Sequence, residues 1–247
     1  MFPIRDHNPS ENQPVVTISL IAINVLAFVI YSTMVTGDAA LGQFYHNWAM
    51  IPARIMAGDG FHTLFTSMFM HGGIMHLAGN VLFLWIFGDN LEDELGHMRF
   101  LIFYLVCGLL ADAAQIIADP NSFIPTLGAS GAIAGVMGGY LLLFPKAKVD
   151  VLLILIIIFK IFTVPAWVML GIWFGLQIFS GLGSDITGGG VAYWAHAGGF
   201  IAGFILMLPV WLRRGGKTYW QSTQGHPPHP DAQYRTVRTA IPKVRRK

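Results

Sequence analysis

Charge is what this chain has least of: Lys and Arg number 15, Asp and Glu 13, and charged residues make up only 11% of its 247 positions. Soluble domains carry about 25%. With 54% hydrophobic residues, a water-soluble fold would have to hide more apolar surface than its geometry allows. The single cysteine, Cys107, excludes a disulfide framework and sits in an apolar run, where it serves as a small hydrophobe. No stretch reads HExxH, which excludes the helical zinc-peptidase site. An aspartyl pair inside a membrane needs two embedded aspartates, and Asp112 alone does not supply them. The formal net charge of +2 says little about partners, because the charges are unevenly placed, and no nucleic-acid partner is expected. What remains is the membrane class.

Six apolar stretches approach the roughly 20 residues a helix needs to cross the hydrocarbon: 15–35, 73–90, 99–118, 130–145, 164–183 and 191–211. The expected fold is therefore all-α, a polytopic bundle of six transmembrane helices. The fourth stretch is short, so one of its ends should lie within the membrane thickness. A further apolar run, residues 148–162, is also short, rich in β-branched residues, carries Lys160 and precedes Pro165. It is expected to be an interfacial segment or an extension of the fifth span rather than a separate crossing.

With six crossings, Arg5, Arg99, Lys146, Lys148, Arg213 and Arg214 all fall on one side, which the positive-inside rule makes the cytoplasm. Residues 1–14 are polar, with Pro3, Pro9 and Pro14. They lack the form of a cleavable signal, and a cytoplasmic N-terminal segment is expected there. The membrane domain then covers 15–212, and 213–247 is expected to be a disordered basic cytoplasmic tail. The loop 36–72 mixes Trp48, Phe61, Phe65 and Phe69 with polar residues, which suits partial burial among lipid headgroups.

Three constellations could carry chemistry. Gly128-Ala129-Ser130-Gly131 stands where a polar loop meets the short fourth span. A serine opening a helix is surrounded by unpaired backbone N–H groups that can bind a developing oxyanion, and its glycines permit a tight turn. Glycine runs of this kind are equally usual where membrane helices pack closely. His196, in AHAGGF, is an ionisable residue within a span, a functional candidate by default. The spans of Ser130 and His196 run in the same direction with one crossing between them, so the two residues reach similar depth. His76 and Asn80 share one helix face at i,i+4. Aimed at Ser130 they could donate to an oxyanion; otherwise they glue helices together. Asp112, Gln115 and Gln177 read as structural polar residues. Asn90 to Gly96 reads as a loop organiser, with Glu92 pairing with Arg99 or capping a helix.

Four segments in order, HGGIMHLAGN at 71–80, NLEDELGHMRF at 90–100, GASG at 128–131 and AHAGGFIAG at 195–203, resemble the rhomboid family of intramembrane serine proteases. The resemblance covers roughly residues 14–212. It implies a Ser130–His196 dyad, with Ser130 attacking the scissile carbonyl and His196 taking its proton. It implies that His76, Asn80 and backbone N–H groups hold the oxyanion, with Gly128 and Gly131 forming the active-site loop. No metal or organic cofactor is implied. Partners would be the lipid bilayer and membrane-protein substrates whose transmembrane segments are helix-destabilised, and a bacterial inner membrane suits the short loops. The chain departs from the family at Ala134, where several members carry a tyrosine that stacks on the histidine, and at Phe61-His62, where some have Trp-Arg. Nor does spacing supply an acid to orient His196. The competing readings are a catalytically silent rhomboid-like protein that binds membrane clients, and a transporter. The first should have lost Ser130 or His196, and the second should show an inverted repeat.

Overall fold

The computed structural model describes residues 2–155, 158–183 and 190–229. The chain opens with strand β1 (Phe2–Asp6) and enters helix α1 (Val15–Met34) immediately after Pro14. The outer loop holds α2 (Asp38–Trp48), α3 (Pro52–Met56), α4 (Thr63–Thr66) and a 3-10 turn at Ser67–Phe69. Trp48, Phe61 and Phe65 project from it exposed, as side chains seated among headgroups would. Helix α5 (Ile74–Leu95) runs into α6 (His97–Ala118) through Gly96 alone. Its φ of 76° lies in the left-handed region, where glycine carries no Cβ penalty.

Helix α7 (Ser130–Leu143) is the axis of the bundle, with every residue from Gly131 to Tyr140 buried. A helix apolar all round is one that neighbours enclose on every side. Its 14 residues span about 21 Å at 1.5 Å per residue, less than the roughly 30 Å hydrocarbon, so it does not reach both surfaces. Helix α8 (Ala166–Gly183) stands at the periphery, followed by α9 (Tyr193–Arg213) and the short α10 (Lys217–Thr223). Helices α7 and α9 meet backbone to backbone. A Cβ on Gly138 would collide with the Phe200 carbonyl, one on Gly199 with the Gly131 carbonyl, and one on Gly203 with the Gly135 carbonyl. Among the described residues five helices are long and apolar enough to cross a membrane, and α7 is a sixth, shorter apolar helix. The chain is a multi-pass membrane protein of the expected architecture.

Four features differ from expectation. The fold is not purely helical: β1 pairs with β2 (Lys148–Leu155), which pairs with β3 (Ile158–Pro165), both antiparallel, giving sheet order β1-β2-β3. The described residues of the apolar run at 148–162 are therefore strand: it is not a separate crossing, as expected, but neither is it an extension of α8. Because Pro165 lacks an N–H and disfavours helix in the residue before it, the helix starts only at Ala166. Second, the stretch expected to be disordered from residue 213 begins with ordered chain. Trp220 Nε1 donates to the Leu142 carbonyl (3.0 Å), and Lys146 N to Gly225 O (2.8 Å). Residues 230–247 lie outside the described residues. Third, of the two readings of Glu92 the structure keeps capping and not pairing with Arg99. Its carboxylate accepts from Val16 N (2.8 Å) and Thr17 N (2.7 Å), capping α1 across the bundle, and meets His97 Nδ1 at 2.5 Å. Fourth, Gly131 belongs to the first turn of α7 rather than to a loop, and a Cβ there would strike Ala111 of α6.

Candidate active site

The loop before α7 is pinned from two sides. Thr126 and Met50 exchange backbone hydrogen bonds of 3.0 and 2.7 Å, and Gly128 N donates to Ser67 O at 2.9 Å. Gly128 has φ 125°, open to glycine and strained for other residues. The chain then turns directly into α7 with Ser130 as its first residue. First-turn N–H groups of a helix have no intrahelical partner, so unpaired donors surround this hydroxyl.

His196 sits in the first turn of α9, whose start Gln115 of α6 helps to hold by accepting from Ala195 N at 3.2 Å. The His196 Nε2 to Ser130 Oγ separation is 2.7 Å, and both residues are partly rather than fully buried. The other ring nitrogen, Nδ1, lies 2.8 Å from Oε1 of Gln177 on α8. Trp173, one turn earlier on α8, packs on the same imidazole, with ring centres 5.8 Å apart and planes tilted by 33°. Trp173 and Gln177 are thus the contacts that α8 makes with the imidazole. They share a helix face at i,i+4. From the sequence Gln177 reads as a structural polar residue, because a lone amide in an apolar span serves equally well as helix glue.

His76 lies on the opposite side of Ser130. A Cβ built on Gly128 would be 2.7 Å from His76 Nε2 and 3.5 Å from Ser130 Oγ, so both atoms border the one space that glycine leaves empty. Gly72 N donates to His76 Nδ1 at 3.3 Å. A nitrogen that accepts carries no proton in the neutral ring, so Nε2 is the N–H donor turned toward Ser130. Asn80 is placed differently. It is buried and, with Ala129, Ile133 and Asn24, lines a crevice with no room for a water molecule. Its Nδ2 has no hydrogen-bond partner among the described residues.

The cavity at Ser130 measures about 20 Å³ and is lined by Ser67, Asp112, Gly128, Ser130 and Ala195 among others. That is room for about one water molecule. Asp112 therefore borders the site from α6, with Ser67 Oγ 3.5 Å from its carboxylate. Among the described residues no three His, Cys, Asp or Glu are grouped to hold a metal ion.

A buried helix opened by a serine paired with histidine, in a glycine-packed membrane bundle, is the arrangement of a rhomboid domain. The rhomboid domain model matches residues 58–213, most of the chain, and the protein belongs to the rhomboid family. It is 28% identical over 206 residues to rhomboid protease GluP of Bacillus subtilis, a match covering 83% of this chain and 37% of that protein. It is 32% identical over 145 residues to mitochondrial rhomboid protein 1 of Saccharomyces cerevisiae, covering 56% of this chain and 39% of the relative. The human presenilin-associated rhomboid-like protein, mitochondrial, is 26% identical over 148 residues, covering 59% and 37%. The chain thus spans well under half the length of these relatives.

Proposed function

We propose that the protein is an intramembrane serine endopeptidase, hydrolysing peptide bonds in or near transmembrane segments of other membrane proteins. The observation that carries this reading is the 2.7 Å contact between Ser130 Oγ and His196 Nε2 at the start of a short buried helix. A serine hydroxyl is a weak nucleophile until a base accepts its proton. As Ser130 Oγ bonds to the scissile carbonyl carbon, its proton passes to His196 Nε2. The negative charge on the carbonyl oxygen is met by His76 Nε2–H and by unpaired N–H groups at the start of α7. His196 then protonates the leaving amine, and the C–N bond breaks to leave an acyl ester on Ser130. A water molecule attacks that ester, gives its proton to His196 and releases the acid product while Ser130 recovers its hydrogen. Asn80, whose buried amide nitrogen has no hydrogen-bond partner among the described residues, is assigned to the same oxyanion.

An intact helix shields its carbonyls, so substrates should carry Gly, Pro or polar residues that let a span unwind. The short loops and the basic residues on one side support residence in a bacterial inner membrane with both termini cytoplasmic. The test is cleavage of a single-span substrate by the purified protein in proteoliposomes. Wild type should cleave, and Ser130→Ala and His196→Ala should each lose about 10⁴-fold or more in rate. Capture of the substrate without cleavage by wild type would instead support a client-binding rhomboid.

A further inference from the structure

We propose that Gln177 is the positioning residue of this site, holding His196 in the one tautomer that can accept the Ser130 proton. The inference rests on the Ser130–His196 reading and extends it to α8. A neutral imidazole carries one proton, and the nitrogen without it is the base. Nε2 can act on Ser130 only if the proton resides on Nδ1. Gln177 Oε1, 2.8 Å from Nδ1, is an acceptor and enforces that choice, the task an aspartate performs in a Ser-His-Asp triad.

An amide could also present its NH₂ end to the ring, which would reverse the tautomer and disable the base. The helix itself opposes this. Gln177 Nε2 faces the carbonyl oxygen of Trp173, one turn back on α8, at 3.5 Å. Rotating the amide would set its oxygen against that carbonyl, two acceptors with no hydrogen between them. The hydrogen-bond direction thus runs unbroken: Gln177 NH₂ donates to the Trp173 carbonyl, His196 Nδ1–H to Gln177 Oε1, and Ser130 Oγ–H to His196 Nε2. The Trp173 ring against the imidazole limits rotation about the same side chain. Because both contacts come from α8, the base is aligned only while α8 is docked on α9. An amide, being neutral, fixes geometry without adding the charge with which a carboxylate would stabilise imidazolium.

The experiment measures the rate at which a fluorophosphonate probe labels the full-length protein in bicelles between pH 5 and 9. In this reaction Ser130 Oγ bonds to phosphorus, fluoride leaves and His196 takes the proton, so no protein substrate is needed. Gln177→Met, similar in volume and without a hydrogen bond to offer, should label about 10- to 100-fold more slowly. Gln177→Glu keeps an acceptor at the same place. It should restore much of the rate and move the acid limb of the profile upward by about one pH unit or more, since a carboxylate favours imidazolium. A glutamine that merely packs helices would give two slowed variants with an unmoved pH profile, and that result overturns the proposal. Equal labelling of wild type and Gln177→Met also overturns it and leaves the dyad standing. Labelling of wild type no faster than Ser130→Ala would instead defeat the dyad itself. Should Gln177→Met unfold on warming well before wild type, the pH profile of Gln177→Glu decides alone.

Discussion

At Gly128, backbone conformation and site chemistry depend on one missing atom. Its φ of 125° is costly for any side chain, and a Cβ would approach His76 Nε2 to 2.7 Å. Gly128→Ala should therefore lower cleavage at least about 10-fold while shifting the melting temperature by only a few degrees, since backbone strain of this kind costs about 1–3 kcal/mol. A variant with wild-type turnover would remove His76 from the oxyanion assignment. Ser130 and His196 were legible because each combines a reactive side chain with neighbouring glycines in an otherwise apolar span. Asn80, one helical turn after His76 on the same face, packs beside Asn24, Ala129 and Ile133. That separation of about 6 Å along the axis is invisible to a rule that counts only i,i+4 positions. Gln177 was hidden for another reason: its meaning depends on a histidine 19 positions away.

Between elements, the closest approach is that of α7 and α9, and glycines on both helices make it possible. Gly203→Ala would drive a methyl into the Gly135 backbone, and Gly138→Ala one into the Phe200 carbonyl. Either helix would have to move, with the Ser130–His196 contact moving with it. Overpacking of this kind costs about 1–3 kcal/mol and sometimes more. Both variants should melt several degrees lower in detergent and lose most of their cleavage activity. Gly171→Ala and Gly175→Ala on α8, where nothing lies within 4 Å of the added carbon, should melt within about a degree of wild type; equal losses at all four positions would mean that glycine flexibility, not close approach, is what matters. The boundaries of the spanning helices follow closely from the apolar runs, because in a bilayer a helix satisfies its own backbone and length is set by thickness. The hairpin of β2 and β3 gave no such signal. Two-residue alternation is confined to Lys148-Val149-Asp150-Val151, too short a stretch to mark a strand by itself, and the partner β1 lies some 145 positions away at Arg5–Asp150.

Across the molecule, the amino-terminal segment fastens the end of the bundle opposite Ser130. Arg5 and His7 meet Asp150 at 2.9 and 3.1 Å, Ser10 donates to Asp89, and Asn12 to Asp93. Tyr140, near the far end of the helix that Ser130 begins, donates to Asp6 at 2.7 Å. The two aspartates of this sheet titrate in opposite directions. Burial alone would raise Asp150, but hydrogen bonds from Thr163, His7 and Arg5 outweigh it and hold the carboxyl down at about 2. Its contribution is present above the ordinary carboxylate value and is lost only as pH falls toward 2, outside the working range. Asp6 is pushed up to about 8, chiefly by burial, with the nearby Asp89 charge adding to the rise and the Tyr140 bond opposing it. A raised carboxyl favours the folded state fully below the ordinary value of 3.8, and this advantage is lost as pH climbs through about 8. Docking of β1 should therefore weaken between about pH 4 and 8. Limited proteolysis of the first 14 residues ought to accelerate across that interval in wild type. Asp6→Asn keeps an acceptor for Tyr140 and never ionises, so its cleavage rate, corrected for the protease's own pH dependence, should stay flat. If the two proteins respond alike, the alkaline sensitivity belongs to another group and Asp6 is not what fastens β1 beneath α7.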